Sequence, residues 1–153
     1  MTKGGQKIFF HSVGITPSLR NRRILKEILL RLFRREGRAV SEVHYIFCDD
    51  QYLVALNQTY LRHNTLTDII TFDYEEQRCP ARADIYISVE RVRENANSFS
   101  TFFSTELRRV IFHGALHLCG YRDKTSEEAA VMRKKEDEYL QLFGSTWNKR
   151  PKD

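Results

Sequence analysis

Short strand-like segments and longer helix-like segments alternate along this chain without any internal repeat. This predicts an α+β fold, a small mixed four-stranded sheet packed against several helices. Three observations carry that prediction. Four short segments are rich in β-branched and aromatic residues. Between them, apolar residues recur at helical spacing, most clearly at Ile24, Leu25, Ile28, Leu29, Leu32 and Phe33. Glycine, proline or a capping residue stands wherever one pattern gives way to the other.

The elements follow in order. Residues 6–13 have strand composition, and Pro17-Ser18 then opens a long helix that ends near Gly37. Residues 40–48, with Val40, Val43, Tyr45, Ile46, Phe47 and Cys48, form a second strand. Asp49 or Asp50 caps a short helix reaching about Tyr60. Two further strands, residues 68–74 and 83–89, are separated by a polar loop containing Pro80. A helix over residues 90–97 precedes a longer one over about 104–118, with Leu107, Val110, Ile111, Ala115 and Leu118 turned inward. A last helix runs from Thr125-Ser-Glu-Glu128 to Phe143 and stops at Gly144. With 153 residues, residues 1–153 are read as a single domain with short flexible ends near 1–5 and 145–153.

Composition narrows the class of protein. No apolar run approaches the roughly 20 residues that span a bilayer. The start, Met-Thr-Lys-Gly-Gly-Gln-Lys, lacks the apolar core of a signal peptide. A cytoplasmic location with no membrane partner is the expectation. Cys48, Cys79 and Cys119 are too few and too scattered for a disulfide framework and read as reduced, mostly buried thiols. A net charge of +5 favours a polyanionic partner only modestly, since many ordinary proteins are as basic.

The most informative stretch is His113-Gly-Ala-Leu-His117-Leu-Cys-Gly120-Tyr-Arg-Asp123. Histidines four apart lie one above the other on a helix face, close enough to share an ion. Gly120 offers the left-handed residue that ends a helix, and after that reversal Asp123 can swing back as a third ligand. Two histidines alone fit partly buried side chains with hydrogen-bond partners just as well. The glycine and the carboxylate at the right offsets tilt the balance toward a metal. Two imidazoles and one carboxylate leave a position open, which separates a catalytic zinc site from a closed structural one. Cys119 faces elsewhere and reads as core packing. The spacing resembles that of zincin-like metzincin proteases, whose general base is a Glu immediately after the first His. Here Gly114 occupies that place and can neither take nor return a proton.

Residues 113–121 also resemble the His-Gly-x-Leu-His-Leu-x-Gly-Tyr-Asp-His motif of the YbeY family, metal-dependent endoribonucleases of bacterial rRNA maturation. Two more blocks agree in the same order. Leu56-Asn57, Tyr60 and Thr67-Asp68-Ile69-Ile70-Thr71-Phe72 are similar to the family's Leu-Asn, Tyr-Arg and Pro-Thr-Asp-Val-Leu-Ser-Phe, and Ala83-Asp84-Ile85-Tyr86-Ile87-Ser88 to its Gly-Asp-Ile-x-Ile-Ser. The resemblance implies a zinc-dependent, single-strand-specific endoribonuclease acting in 16S rRNA 3′-end processing and ribosome quality control. It also implies one Zn2+, or another divalent transition metal, held by His113, His117 and Asp123. Its implied partners are a single-stranded RNA or rRNA precursor and the ribosome or its small subunit.

The departures fall on the site itself. Asp123 stands where the family has its third His, and Arg122 where it has Asp. Carboxylate oxygen binds zinc at about 2.0–2.2 Å, so ligation survives, but the site becomes more negative and activates water less. The family's Arg after the Tyr falls on Leu61, which leaves the neighbouring Arg62 as the catalytic candidate. Asp68 and Asp84, in the matching blocks, are candidates either for structural hydrogen bonds or for supporting the His ligands.

Residues 17–38 carry Arg20, Arg22, Arg23, Lys26, Arg31, Arg34, Arg35 and Arg38 against only Glu27 and Glu36. An outward face bearing Arg20, Arg22, Arg23, Arg31, Arg34 and Arg35 suits RNA phosphates, and an ordinary solvated helix face carries such charge as well. Phe72, Tyr74 and Tyr121 are candidates for stacking on unpaired bases, although each also suits a core. Two other functions stay open: a non-catalytic, RNA-binding ribosome-assembly factor whose metal is structural, and, disfavoured by Gly114, a metallopeptidase.

Overall fold

The structure is a computed structural model that describes residues 7–61 and 67–149. Strand β1 (Ile8–Ser12) leads into helix α1 (Arg22–Arg35), strand β2 (Val40–Cys48) and helix α2 (Asp50–Leu56), which continues as a π-helical turn over Asn57–Leu61. Strands β3 (Ile69–Asp73) and β4 (Ala81–Ser88) follow, and then helices α3 (Val89–Ser98), α4 (Phe103–Leu118) and α5 (Ser126–Asn148). The α+β prediction holds. The four strands form one sheet in the order β1-β2-β4-β3, with β1, β2 and β4 parallel and β3 antiparallel on the edge.

Strand alternation decides which face is buried. The register aligns Ile8, Val43 and Ala83, then Phe10, Tyr45, Ile85 and Thr71, then Phe47, Ile87 and Ile69, on one face. That face meets the apolar stripes of α1, α4 and α5 in a single large core. The stripe of α1 is Ile24, Leu25, Ile28, Leu29, Leu32 and Phe33, all buried, as its periodicity predicts. A smaller cluster of Cys48, Leu53 and Ile70 lies under α2 on the opposite face.

Gly114 sets how closely α4 sits on the sheet. A Cβ there would lie 2.9 Å from Ile69 Cδ1 and 3.1 Å from Ile85 Cγ2, so any side chain would have to push these isoleucines aside. The position that bears a general base in metzincins points here into the sheet.

Several boundaries differ from the sequence expectation. Helix α1 starts at Arg22 rather than at Pro17, because Asn21 takes a left-handed conformation (φ 54°) that no helix can continue through. Helix α5 does not stop at Gly144 but runs to Asn148, so residues 145–148 are helical rather than a frayed end. Trp147 packs edge-on to buried Phe143, ring centroids 5.7 Å apart, and extends the inward stripe one turn past the glycine. The start of α5 follows its capping box: Thr125 accepts from the Glu128 N–H, and the Glu128 side chain accepts from the Thr125 N–H. Of the three thiols, Cys48 is buried and Cys119 packs half-buried against the core, but Cys79 is exposed, since the β3–β4 loop carries it outward. None of the described helices is long and apolar enough to cross a membrane.

Candidate metal centre

Helix α4 carries His113 and His117 one turn apart, with ring centroids 4.5 Å from each other and planes nearly perpendicular (84°). Gly120 (φ 98°) then ends the helix in a Schellman turn. The Tyr121 N–H reaches the Leu116 carbonyl at 3.1 Å, and the Gly120 N–H reaches that of His117 at 3.0 Å. The reversal returns the chain so that Asp123 Oδ2 lies 3.2 Å from His113 Nε2 and 3.4 Å from His117 Nε2. One ligand atom from each of the three residues fits within 4.8 Å of the others. Donors at zinc distances on a tetrahedron stand about 3.4 Å apart, so the two nitrogen–oxygen separations suit a shared ion.

Each imidazole is held from behind. His113 Nδ1–H donates to Glu136 Oε2 at 2.6 Å, and His117 Nδ1–H donates to the Tyr121 carbonyl at 2.9 Å. With acceptors at both Nδ1 atoms, both Nε2 atoms are turned toward Asp123, the orientation that metal ligation requires. Glu136 is itself fixed by Arg109, 3.0 Å away, which also reaches Asp137 at 2.8 Å. Burial would push the His113 imidazolium down, but the hydrogen bond to Glu136 and the charges of Glu136, Asp123 and Asp68 outweigh it and hold its pKa above the ordinary value.

Asp68 lies beside this group, half-buried, accepting a hydrogen bond from Asn95 Nδ2 at 3.3 Å. Burial raises its carboxyl above the ordinary range, although the nearby His113 pulls the other way. Asp84 lies elsewhere. In the sheet it is paired in register with His44 and Phe72, on the face turned away from α4, and it accepts from the Tyr74 hydroxyl at 2.8 Å. Strand alternation separates it from the histidines by the thickness of the sheet. Arg62 lies outside the described residues.

The basic segment divides. Arg20, Arg22, Arg23, Arg34 and Arg35 are exposed and Arg31 half-buried, along the outer side of α1 and its approach. Arg22, Arg23, Lys26 and Lys7 line a groove of about 490 Å3 whose walls share no residue with the cavities at the histidines. Arg38, counted with that charge, is instead buried: its guanidinium holds Asp73 at 2.7 and 2.9 Å, the Leu118 carbonyl at 2.6 Å and the Arg78 carbonyl at 2.8 Å. It ties the end of α4 to the end of β3. Of the aromatic candidates, Tyr121 spends its hydroxyl on Glu36 at 2.6 Å, Phe72 is wedged edge-on between Tyr60 and Tyr86, and Tyr74 is exposed.

Sequence reasoning missed Glu136 and Arg109, and placed Arg38 on the basic surface rather than in the fold. Glu136 did leave a signal, because an acid sits in the inward stripe Met132, Glu136, Tyr139, Phe143 where an apolar residue belongs. Two cavities flank the three converging residues. The larger, about 860 Å3, runs along the β3 edge past Asn57, Thr67, Thr71, His117 and Lys124.

A mixed sheet with a His–His–carboxylate group at the end of its core helix defines the class: an α+β protein with a helix-borne candidate metal centre open to a groove. The family model described as Endoribonuclease YbeY matches residues 13–144, and the chain belongs to that family. It is 55% identical over 108 residues to the Endoribonuclease YbeY of Flavobacterium psychrophilum, covering 71% of this chain and 76% of that one. It is 41% identical over 140 residues to the Endoribonuclease YbeY of Porphyromonas gingivalis strain ATCC 33277, covering 92% of each. The solution structure of TM1509 from Thermotoga maritima superposes with a TM-score of 0.60 at 29% identity, covering 94% of this chain and 93% of that one.

Proposed function

We propose that this chain is a metal-dependent endoribonuclease that cuts single-stranded RNA in rRNA maturation, with His113, His117 and Asp123 as the ligands of one divalent ion, zinc or another transition metal. The observation that carries the reading is the convergence of both Nε2 atoms on one carboxylate oxygen while both Nδ1 atoms are held by acceptors. Bound there, such an ion supplies a Lewis acid for a phosphoryl oxygen and lowers the pKa of its water. Everything else falls to the chain. Glu136 and the Tyr121 carbonyl keep the imidazoles aimed. Gly114 brings α4 against the sheet and supplies no carboxylate at the position that bears the metzincin base, which suits RNA better than peptide cleavage. Lys124 lines the groove along β3, where its ammonium suits a phosphate.

The finer assignments extend this proposal: 16S rRNA 3′-end processing and ribosome quality control, a precursor rRNA substrate on the small ribosomal subunit, and a cytoplasmic location. Arg62 as a transition-state cation, Asp68 as a support for the centre, and Arg20, Arg22, Arg23, Arg31, Arg34 and Arg35 as phosphate contacts belong to it too. Metal content by elemental mass spectrometry, for the unaltered chain, His117→Ala and Asp123→Ala, tests it together with cleavage of a labelled single-stranded RNA. About one ion per chain, lost in both variants along with cleavage, is expected. Metal-dependent cleavage that survives in His117→Ala would falsify the site.

A second reading is favoured by one observation: Asp123 closes the return of the chain onto α4, so an ion there would also fasten the start of α5. A non-catalytic assembly factor with a structural metal would lose stability on chelation but keep RNA binding through α1. Absence of cleavage by the metal-loaded chain would favour it.

A further inference from the structure

A second cavity, of about 420 Å3, lies between α3, α4 and α5 and meets the candidate metal centre along His113 and Asp123. One side chain in its wall has no role in holding the histidines. Glu106 is only 5% exposed, and among the described residues its carboxylate makes no hydrogen bond or close ion pair, the charges of Arg109 and Arg133 acting on it only from longer range. A carboxylate so nearly buried, without protein donors and lining a cavity, is open to a ligand that supplies them. Glu106 precedes His113 by two helical turns on the same face of α4, about 10.5 Å along the axis.

The surroundings narrow what that partner is. A second cation is disfavoured, because Arg109 and Arg133 share the wall and, among the described residues, only His113, His117 and Asp123 bring ligand atoms together. A flat, neutral group with adjacent donors fits better. Phe99, 59% exposed, stands in the same wall with a ring face to offer, and unpaired RNA bases are commonly held by a stacked aromatic plus hydrogen bonds on the Watson–Crick edge. Among the four bases, only guanine presents two neighbouring donors, N1–H and N2–H, to the two oxygens of a carboxylate. Adenine and cytosine place an acceptor beside their amino group, and uracil flanks its one N–H with two carbonyls.

We propose that this cavity is a nucleobase subsite for guanine next to the cleaved bond, with Glu106 accepting from N1–H and N2–H and Phe99 stacking on the ring. The proposal rests on the endoribonuclease reading above and adds a base preference to it. Arg133, exposed at the rim, is placed for the adjoining phosphate.

The test is a fluorescence-anisotropy titration of the metal-loaded full chain. The probes are cleavage-resistant 2′-O-methyl hexauridylates carrying one central guanine, adenine, cytosine or inosine. Guanine is expected to bind about ten-fold more tightly than adenine or cytosine. Inosine, which lacks only the N2 amino group, should fall between them, a comparison made on the unaltered protein. Glu106→Gln keeps the shape but turns one acceptor into a donor, and should level the preference while circular dichroism stays unchanged. Equal binding of all four probes overturns the subsite, as does a folded Glu106→Gln chain that still prefers guanine. Failure to bind any of the probes overturns the RNA reading itself, and the subsite with it.

Discussion

The two imidazoles of the centre are supported by different kinds of structure. Behind His113 stands a side chain, Glu136, which is buried and pinned by Arg109. Behind His117 stands main chain, the Tyr121 carbonyl, presented by the Schellman turn at Gly120. A side-chain support sharpens the basicity of its histidine and can be deleted by one substitution. A main-chain support survives substitution of the residue that provides it and fails only if the turn moves. The turn in turn depends on Arg38, whose guanidinium clamps the Leu118 carbonyl to Asp73.

The largest expected effect comes from deleting the side-chain support. Glu136→Ala leaves His113 free to rotate and Arg109, only 15% exposed, short of a partner. Removing one member of a buried pair costs about 3–5 kcal/mol. Loss of the carboxylate behind a metal-binding His weakens metal affinity about 10–100-fold. Urea unfolding and competition with a chromophoric chelator measure the two. A variant with native metal affinity would show that Glu136 is not needed to aim His113. Tyr121→Phe is the contrasting case: its carbonyl remains, so metal affinity should hold while the hydroxyl bond to Glu36 is lost.

Breaking the clamp behind the other histidine should move stability more than metal. Arg38→Met leaves Asp73 and the Leu118 carbonyl without their shared donor, at a cost of about 3 kcal/mol. The pair also predicts a pH dependence. Burial raises the Asp73 carboxyl, but the hydrogen bonds from Arg38 and from main-chain N–H groups outweigh this and hold it below the ordinary value. A carboxyl with a depressed folded-state pKa contributes stability that is fully present above its unfolded pKa of about 3.9 and is lost as pH falls through the folded value. Stability of the unaltered chain should therefore fall below about pH 4. Arg38→Met should flatten that part of the curve, and an identical acid slope in both chains would remove Asp73 from the account.

This division also explains what the sequence could tell. Strand β2 and helix α4 lie within a residue of where periodicity places them, because both bury one face along their whole length. The meeting of His113, His117 and Asp123 was legible from spacing alone, since a helix turn and a glycine reversal are local geometry. Glu136, 23 residues beyond His113, was not: which buried acid faces which histidine is settled by how α5 lies on α4. Arg38 misled for a related reason. In a run of arginines nothing local distinguishes the one that folds inward to a carboxylate 35 residues away. Asp84 sits in a motif as suggestive as that of Asp68, and only strand register shows that it faces the other way.

The smallest effects separate the two glycines of the motif, which are there for different reasons. At Gly114 the constraint is space: a Cβ would press on Ile69 at 2.9 Å and Ile85 at 3.1 Å. At Gly120 it is backbone: φ is 98°, while a Cβ would find only Gln77 Oε1 at 3.6 Å, an ordinary contact. Gly114→Ala should therefore cost about 2 kcal/mol through overpacking, and trimming the obstacle with Ile69→Val, which removes the Cδ1 nearest the new Cβ, should return part of it in the same chain. Gly120→Ala should cost about 1 kcal/mol through strain alone, with nothing to trim. Because the strain falls on the turn that presents the Tyr121 carbonyl to His117, Gly120→Ala should also weaken metal binding, whereas Gly114→Ala, facing the sheet, should weaken it less than its greater cost in stability suggests. Thermal unfolding and chelator competition on the three variants decide the matter. If metal affinity simply followed stability across them, the main-chain support at His117 would have no role apart from the fold.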